Sequence, residues 1–303
     1  MAQQELYTYV NGEIVPDSEA KISVHDSGFT SGDAVFDTTR TFGHKIFRLQ
    51  EHLERFQKSL KYQRLVPPIS IQEFYDISME VLERNLPLLG ENDDYWVTQR
   101  VTRGVKEAGY ANDPGVIIEC KPLPLKERSK FYRDGLPLIT PSIRRTPPQS
   151  MSPRAKMHQY VNIAQGTMEV KAQNPDALAM LLDINGNIAE GPGSNFFIVK
   201  DGVVITPREQ YVLAGISRGV ALELAQELNI ETVEADIDLY DAYTADECFV
   251  TSTSYCICPV STINGQVFGE EGIPGPVTDR LQKAYSGLVG IDVVQQYLDH
   301  LED

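Results

Sequence analysis

Two short segments carry side chains that can do covalent or acid–base chemistry. Lys156, in SPRAKMHQYVN, offers a primary amine, which can attack a carbonyl carbon and later move a proton. Glu190 begins the glycine-rich stretch EGPGSN directly before the apolar segment FFIV, so a carboxylate stands on a predicted turn. A lone lysine or turn glutamate is most often a solvated surface charge. Neither residue therefore establishes an active site by itself.

Three further segments offer groups that bind an anion such as phosphate. In LAGISRG, Gly215 precedes a predicted helix, whose first N–H groups at Ile216 and Ser217 favour negative charge. The predicted strand FVTSTS runs into a turn rich in hydroxyl groups. Arg55, in EHLERF, lies four residues after Glu51 on a predicted helix, where a surface ion pair is the alternative to an anion contact. Many proteins carry one such feature without a ligand.

Hydrophobic periodicity and turn signals predict the elements that position these residues. In chain order they are a hairpin within 6–15, helices at 49–65 and from Ser70, strands at 95–103, 116–120 and 136–139, a helix at 157–172, strands at 177–183 and 195–199, a hairpin turn at 201–202, a helix from Ile216, a strand at 247–251 and a helix at 277–288. Asn11-Gly12 marks the first turn, and Ser70 with Glu73 forms a predicted capping box. The chain is therefore predicted to be α+β (mixed α/β).

A proline-rich stretch divides the chain. Prolines are frequent between Lys121 and Pro153, which disfavours helix interiors and suits a connection between domains. We predict a small N-terminal α+β domain over residues 1–130, a linker over 131–148 and a larger C-terminal domain over 149–303.

Composition limits the classes of function. The chain has 303 residues, with 27 Lys+Arg against 43 Asp+Glu and a formal net charge of −16. This acidic balance argues against a general nucleic-acid binder or a protein of anionic membrane surfaces, because both functions reward a basic patch. The four cysteines form no CxxC pair and the five histidines are scattered, so neither a zinc site nor a disulfide framework is expected. The sequence lacks the apolar run of a membrane helix or signal peptide, and we expect a cytoplasmic protein.

The ordered set of these segments resembles the class IV aminotransferases, pyridoxal 5'-phosphate enzymes that include branched-chain and D-amino-acid aminotransferases. The segments that carry the resemblance are YVNGE, GFTSGDAVFDTTR, EHLERF, the lysine region, AEGPGSNFFIVKDGVVITP, LAGISRG and ECFVTSTS. They occur in the family's order and cover nearly the whole chain. The resemblance implies the fold-type IV architecture, with a small N-terminal α+β domain and a larger C-terminal pseudo-barrel domain.

The resemblance also implies roles for the cofactor residues. Lys156 would form the Schiff base with the cofactor and carry the proton between Cα and C4′. Glu190 would pair with the pyridine nitrogen, because a protonated pyridine ring is the better electron sink for a carbanion. Tyr160 is similar to the family's active-site aromatic residue, although it follows the lysine by four positions instead of the five usual in branched-chain enzymes. The phosphate and the rest of the cofactor would meet Arg55, Ser194, Asn195, Gly215, Ile216, Ser217, Ser252 and Thr253.

The same resemblance indicates where the substrate binds. FDTTR resembles the Phe-Glu-Gly-x-Arg pattern of branched-chain enzymes, with Thr38 in the place of the glycine. The residues expected at the substrate are Phe36, Thr38, Arg40, Tyr95 and Ser254. Enzymes that act on D-amino acids carry an Arg-x-His pair soon after VTRG, and this pair is absent here. Arg40, Arg100 and Arg103 are the nearest arginines for a substrate carboxylate, and the sequence does not rank them.

The function implied is a ping-pong transamination between an amino donor and a 2-oxo acid, with branched-chain substrates favoured. Thr38 keeps a broader or (R)-selective amine transaminase as one alternative. A D-amino-acid transaminase is a further alternative, which the missing Arg-x-His pair makes less favoured, and a lyase resembling aminodeoxychorismate lyase is another. A non-enzymatic binding protein is the least favoured, since a binder needs neither Lys156 nor Glu190. The family also implies a homodimer whose active site is bordered by a loop of the neighbouring subunit, here Gly104 to Gly115. No nucleic-acid, membrane or metal partner is expected.

Overall fold

The structure is a computed structural model that describes residues 5–105, 113–268 and 272–301. Within them the chain forms two compact units. Unit 1 comprises Met1–Leu123 and Ala155–Gln159, and unit 2 comprises Pro124–Arg154 and Tyr160–Asp303, each over its described part. The predicted mixture of helices and strands is confirmed in both units. None of the described helices is long and apolar enough to cross a membrane.

Unit 1 is an antiparallel sheet with helices packed against it. Its strands are β1 (Tyr7–Val10), β2 (Glu13–Pro16), β3 (Ala34–Phe42), β4 (Lys45–Ile46), β5 (Tyr95–Thr102) and β6 (Val116–Pro122), and its helices are α1 (Ser27–Ser31), α2 (Leu49–Gln63) and α3 (Ile71–Asn85), with 3₁₀ turns at Asp17–Glu19 and Leu86–Leu88. The strand order is β2-β1-β6-β5-β3-β4. The first hairpin forms as predicted, with Asn11 and Gly12 at φ 50° and 111°.

The predicted capping box at the start of α3 is also confirmed. The Glu73 N–H donates to Ser70 Oγ at 3.2 Å, and the Ser70 N–H donates to Glu73 Oε2 at 2.7 Å. Two N–H groups that the helix start would leave unpaired are thereby satisfied.

The sheet of unit 1 has one polar face. Alternate residues of a strand lie on the same face, and the register places Phe36 beside Arg100 and Thr38 beside Thr98. Thr98 in turn lies beside Glu119 on β6. We call the face that carries these five residues the polar face. The opposite face contributes Val97, Val101 and Ile118 to the buried core beneath α2 and α3.

The segment around Lys156 joins unit 1 as a strand-like edge. Val35 forms an antiparallel bridge with Met157. The Phe36 N–H donates to the Lys156 carbonyl at 3.0 Å, and the His158 N–H donates to another carbonyl of β3 at 3.0 Å. Backbone pairing with β3 thus holds the lysine segment in an extended conformation.

Unit 2 is built on a second, mixed sheet. Its strands are β7 (Leu136–Ile139), β8 (Leu178–Ala179), β9 (Glu190–Gly191), β10 (Ser194–Lys200), β11 (Val203–Pro207), β12 (Thr232–Ala235), β13 (Glu247–Ser252), β14 (Cys256–Ile263) and β15 (Gln266–Val267), and its helices are α4 (Leu125–Asp134), α5 (Val161–Gln173), α6 (Ile216–Glu227), α7 (Leu239–Tyr243), α8 (Pro276–Val289) and α9 (Val293–Leu298), with a 3₁₀ turn at Glu209–Tyr211. The order is β12-β11-β10-β13-β14-β7-β8, with β9 beside β10 and β15 beside β14. Phe197 and Phe249 stack in its core with ring centroids 4.7 Å apart.

The structure differs from the sequence expectation around the proline-rich stretch. α4 was not predicted and forms because Pro124 stands just before its first turn, where no backbone N–H is needed. β7 pairs in parallel with β14, and residues 124–154 belong to unit 2. α5 begins at Val161 instead of 157, because residues 156–158 pair with β3. α9 was not predicted either.

The loop predicted to border a neighbouring active site is described only at its ends. Residues 106–112 of it lie outside the described residues. At its base Gly104 forms a bridge with Asp113, and the Thr102 N–H donates to the Gly115 carbonyl at 2.9 Å. A Cβ on Gly104, whose φ is +76°, would collide with the Asp113 carbonyl. This closure therefore requires glycine.

Candidate functional site

Lys156 is held by two elements of unit 1. Its N–H donates to Ser59 Oγ on α2 at 3.0 Å, and its carbonyl accepts the Phe36 N–H of β3. Its Nζ lies 4.6 Å from the centroid of the Phe36 ring. The backbone of the lysine is thus fixed while its ammonium group stands over an aromatic ring of the polar face.

Arg55 belongs to a buried cluster in which side chains of α2 meet Asp37 of β3. Its Nε donates to Asp37 Oδ2 at 2.8 Å, and its Nη2 donates to Asp37 Oδ1 at 2.7 Å. His52 Nδ1 lies 2.7 Å from the same Oδ1. Arg55 is only 8% exposed, so it is part of the interior and not the surface charge that its spacing from Glu51 allowed. The two parallel bonds fix the plane of the guanidinium.

The cluster has a defined charge state. Burial would raise the pKa of Asp37, but the charge of Arg55 and the hydrogen bonds from His52 and Arg55 outweigh burial and hold that pKa well below its usual range. Burial lowers the pKa of His52, with Arg55 and Lys156 adding to the effect and Asp37 opposing it. At neutral pH the cluster therefore contains an ionised Asp37, a charged Arg55 and a neutral His52.

A second group of polar residues surrounds Phe36 on the polar face. Arg100 Nη2 donates to Glu119 Oε1 at 2.6 Å, and Arg100 Nη1 lies 3.1 Å from His158 Nε2. The Arg100 guanidinium lies 5.4 Å from the Phe36 centroid, and the His158 ring meets Phe36 edge to face at 5.2 Å. Phe36 is thus bordered by the ammonium of Lys156, the guanidinium of Arg100 and a histidine.

Two residues expected at the substrate lie in the core instead. Arg40 is 1% exposed, forms an ion pair with Asp94 at 3.5 Å and places its guanidinium 4.0 Å from the Phe42 ring centroid. Tyr95 is also 1% exposed, and its hydroxyl donates to the Asn85 carbonyl at 3.1 Å. Neither side chain has access to a substrate, in contrast to the expectation from the sequence.

Arg103 is committed elsewhere in unit 1. Its guanidinium binds both carboxylate oxygens of Asp33 and donates to the Gln63 carbonyl at 2.8 Å. It therefore anchors the end of α2 to the segment before β3. Of the three arginines that the sequence left unranked, Arg100 is the one on the polar face.

In unit 2, Glu190 is a buried and oriented carboxylate. It lies on β9, is 6% exposed, and accepts hydrogen bonds from Arg145 Nε and from the Leu213 N–H, each at 2.9 Å. The first bond ends on Oε1 and the second on Oε2. Each oxygen thus has one fixed donor and keeps capacity to accept another.

The segment before α6 is hydrogen-bonded to Glu190 through the Leu213 N–H. Asn195 Nδ2 donates to the Leu213 carbonyl at 2.9 Å. Gly215 approaches Asn195 so closely that a Cβ there would collide with the amide oxygen. α6 begins after Gly215 with no capping side chain, and Ser217 in its first turn is 5% exposed. The first N–H groups of α6 are therefore available to donate to an anion placed before the helix start.

Hydroxyl groups collect where β10 and β13 meet. Ser194 Oγ and Thr251 Oγ1 are buried and have no hydrogen-bond partner among the described residues, and Thr251 lies beside Asn195 in the register. Buried polar groups are rarely left unpaired, so both hydroxyls indicate a ligand. In the following turn, which also contains Thr253, Ser252 Oγ accepts the Tyr255 N–H at 2.9 Å and Ser254 Oγ accepts a bond from Arg128.

Tyr160 lies at the N-terminal end of α5 in unit 2. It is partly buried against an apolar cluster, whose members are Ile163, Val170, Ala177, Ala179 and Leu181. The predicted site residues thus divide between the units. Lys156, Arg55, Phe36 and Thr38 lie in unit 1, as do the buried Arg40 and Tyr95. The other predicted residues lie in unit 2, namely Tyr160, Glu190, Ser194, Asn195, Gly215, Ile216, Ser217, Ser252, Thr253 and Ser254.

Sequence reasoning missed the residues that orient the predicted ones. Asp37 lies inside FDTTR and reads as an ordinary strand residue, and Arg145 lies in the proline-rich stretch. A usable signal was the spacing of His52, Arg55 and Ser59, which places all three on one face of α2. No local pattern pointed to Arg145 as the partner of Glu190.

Comparisons with known proteins give concordant matches. Residues 34–263 match the family model for amino-transferase class IV. The chain is 35% identical over 285 residues to a putative branched-chain-amino-acid aminotransferase of Methanocaldococcus jannaschii, covering 92% of this chain and 95% of that protein. It is 33% identical over 297 residues to the branched-chain-amino-acid aminotransferase of Escherichia coli K12, covering 93% and 92%. A solved branched-chain amino acid aminotransferase complexed with N-(5'-phosphopyridoxyl)-L-glutamate is similar with TM-score 0.83 and 31% identity, over 94% of each chain.

Proposed function

Because the chain belongs to the class IV aminotransferases and its cofactor is pyridoxal 5'-phosphate, we propose that it exchanges amino groups between branched-chain amino acids and 2-oxo acids. The observation that carries the proposal is the setting of Lys156. Its backbone is held by Ser59 and Phe36, and its ammonium stands on the polar face. The branched-chain enzymes among its relatives support the substrate class.

The residues present fit this cofactor. The unpartnered hydroxyls of Ser194 and Thr251 and the uncapped start of α6 are groups that a phosphorylated ligand can satisfy. In unit 1, the guanidinium of Arg55 is oriented by Asp37. We assign the phosphate to Arg55, to the N–H groups of Ile216 and Ser217, and to Thr253. The remaining proposed cofactor contacts are Tyr160, Ser194, Asn195, Gly215 and Ser252.

Two residues carry the proposed chemistry. When bound, the cofactor supplies a carbonyl group and an electron sink. Lys156 Nζ would be the nucleophile that holds the cofactor and, when the amino donor has taken its place, the base that takes the Cα proton and returns it at C4′. Glu190, whose oxygens accept from Arg145 Nε and the Leu213 N–H, would accept a hydrogen bond from the pyridine N–H. Its fixed orientation removes the need to reorganise when the cofactor binds.

The polar face supports the substrate assignment and also a second candidate. Phe36 offers an aromatic surface to an apolar side chain. Thr38 Oγ1 lies 3.1 Å from Thr98 Oγ1, so a hydroxyl pair stands where the branched-chain pattern has a glycine. The extra bulk favours an (R)-selective amine transaminase as the alternative. Ser254, held by Arg128, is proposed as a substrate contact at the turn after β13.

A donor panel tests the proposal. Purified protein loaded with cofactor is given L-leucine, L-valine, D-alanine or (R)-1-phenylethylamine, each with 2-oxoglutarate or pyruvate. We expect transfer from L-leucine and L-valine. Transfer only from D-alanine or the (R)-amine would favour the alternative, and continuous pyruvate release from aminodeoxychorismate would favour a lyase. Absence of transfer and of a cofactor spectrum would revive a non-enzymatic binder.

The role of Lys156 has a matched control. Lys156→Ala should abolish transfer and the visible absorbance of the bound cofactor, because no amine remains to hold it. Lys121→Ala removes a lysine whose side chain is 60% exposed and should change neither. Full turnover in Lys156→Ala would contradict the assignment.

Two further properties are proposed on the resemblance alone: we infer a homodimer, with the loop from Gly104 to Gly115 near the neighbouring active site. A cytoplasmic location is proposed on the cysteine pattern and the lack of an apolar run in the sequence. The domain limits at 130 and 149 stay a prediction. Light scattering after gel filtration tests the homodimer, which a monomer of 33.9 kDa would contradict.

A further inference from the structure

The polar face contains an arginine with two different partners. Arg100 donates from Nη2 to Glu119 and from Nη1 to His158. Arginine has five N–H donors and no acceptor, so these two bonds leave donors of the same guanidinium for a ligand. Its side chain is 27% exposed, whereas that of Arg40 is 1% exposed. Arg100 is therefore both oriented and accessible.

The partner histidine must be neutral. Because arginine only donates, His158 Nε2 accepts, and the ring proton is on Nδ1. Burial and the charge of Arg100 lower the pKa of His158 to about 4, although Glu119 and Asp26 oppose the shift. A neutral imidazole orients the guanidinium and leaves its positive charge in place, whereas a second carboxylate would neutralise that charge.

The local charge balance favours an anion. Glu119 is shared between Arg100 at 2.6 Å and Lys121 at 3.5 Å, so two cations face one carboxylate. Both Lys156 and Arg100 border the same ring, that of Phe36. A carboxylate at Arg100 would thus belong to a molecule whose amino or oxo carbon reaches the Lys156 amine.

We propose that Arg100 binds a carboxylate of the amino-acid and 2-oxo-acid substrates, and that His158 is the positioning residue that holds its guanidinium for this contact. The proposal rests on the proposed transaminase function. It assigns a role that separates substrates with a carboxylate from simple amines. His158 contacts Arg100, two residues along the chain from Lys156, so the lysine segment supplies both the amine and the support for carboxylate binding.

Binding of a substrate-like acid tests Arg100 without turnover. The holoenzyme is titrated with 4-methylpentanoate, which has a carboxylate and no amino group, in a calorimeter. Arg100→Met should weaken this binding by about tenfold or more, because a charge-assisted contact is lost. The control Lys121→Met removes the neighbouring cation, whose side chain is 60% exposed. Because exposed ion pairs contribute little, this variant should weaken binding of the acid less than about threefold. Unchanged binding in Arg100→Met overturns the proposal.

Kinetics separate a carboxylate contact from a structural effect. In Arg100→Met the KM for L-leucine should rise by about tenfold or more while kcat changes little, because the carboxylate contact contributes to binding before and during the reaction. A fall in kcat without a rise in KM would contradict carboxylate binding. If the wild type transfers from no donor, the proposed function fails, and the acid titration still decides the role of Arg100.

His158 is tested by rescue. His158→Phe removes the acceptor and should raise the KM for L-leucine with little change in kcat. His158→Gln offers an amide oxygen to Arg100 and should restore most of the affinity. Equal KM values in wild type and His158→Phe, or a Gln variant no better than Phe, would refute the positioning role.

Discussion

The buried ion pair between Asp37 and Arg55 gives the most direct test of the interior described for unit 1. Asp37→Asn keeps the shape of the side chain and removes its charge. The Asn oxygen can still face His52 and Arg55 Nη2 in the place of Oδ1, but the amide N–H₂ then stands in the place of Oδ2 and points at Arg55 Nε, whose bond of 2.8 Å is lost. Removing one partner of a buried pair costs about 3–5 kcal/mol. We expect the free energy of unfolding to fall by about 3 kcal/mol, the lower end of that range, because the His52 contact survives.

Urea denaturation of the cofactor-free protein measures this loss. The chain has a single tryptophan, Trp96 on β5, so its fluorescence reports on unit 1. Glu80→Gln is the matched control, because Glu80 pairs with Arg84 at 2.7 Å on the surface of α3, with side chains 53% and 47% exposed. Such a pair contributes less than about 1 kcal/mol.

The free energy of unfolding should depend on pH in a direction that the pKa shift of Asp37 sets. Folding lowers the pKa of Asp37, so its carboxylate stabilises the folded state above the unfolded pKa, and this stabilisation is lost as the pH falls through the folded pKa. The difference between wild type and Asp37→Asn should be full at pH 7 and shrink only below about pH 4. A loss no larger than that of Glu80→Gln, or one that does not shrink in acid, would refute the reasoning.

Three variants in unit 2 test the cofactor residues. Gly215→Ala pushes aside the Asn195 amide and should weaken cofactor binding in equilibrium dialysis, with unchanged binding as the contrary result. Thr251→Val removes an unpaired buried hydroxyl, so it should stabilise the cofactor-free protein by about 1 kcal/mol in thermal unfolding and weaken cofactor binding. A destabilised protein would show that the hydroxyl already has a partner. Arg145→Met frees Glu190 Oε1 and should reduce cofactor affinity, which Arg145→Lys restores only in part.

Local elements were predictable because their causes are local. Asn11-Gly12 adopts the positive φ values that a tight turn needs, and the reciprocal bonds of Ser70 and Glu73 lie within one helical turn. The fold class and family followed from ordered motifs. The pairing of Met157 with Val35 was not predictable, since it joins segments distant in the chain and depends on the whole sheet. It explains why α5 starts later than its apolar spacing indicated.

The candidate site shows the same limit. Lys156, Glu190 and Arg55 were identified as residues, yet their partners Ser59, Arg145 and Asp37 were not. A motif records the residue types that chemistry requires, whereas orientation comes from contacts that many side chains could provide. Arg40 shows the opposite case. It matches the FDTTR motif, but its side chain is buried in an ion pair with Asp94.

The two arginines proposed at cofactor or substrate are each paired with a carboxylate, although the pairing reduces their net charge. Arg55 binds Asp37 and Arg100 binds Glu119. An unpaired arginine would attract an anion more strongly, but it would lose the freedom of a long side chain on binding. Holding the planar guanidinium in advance removes that cost and fixes the direction of its remaining donors. The acidic excess of the chain therefore includes two carboxylates, Asp37 and Glu119, that orient cations, and orientation is the property that an amino-group transfer between defined atoms requires.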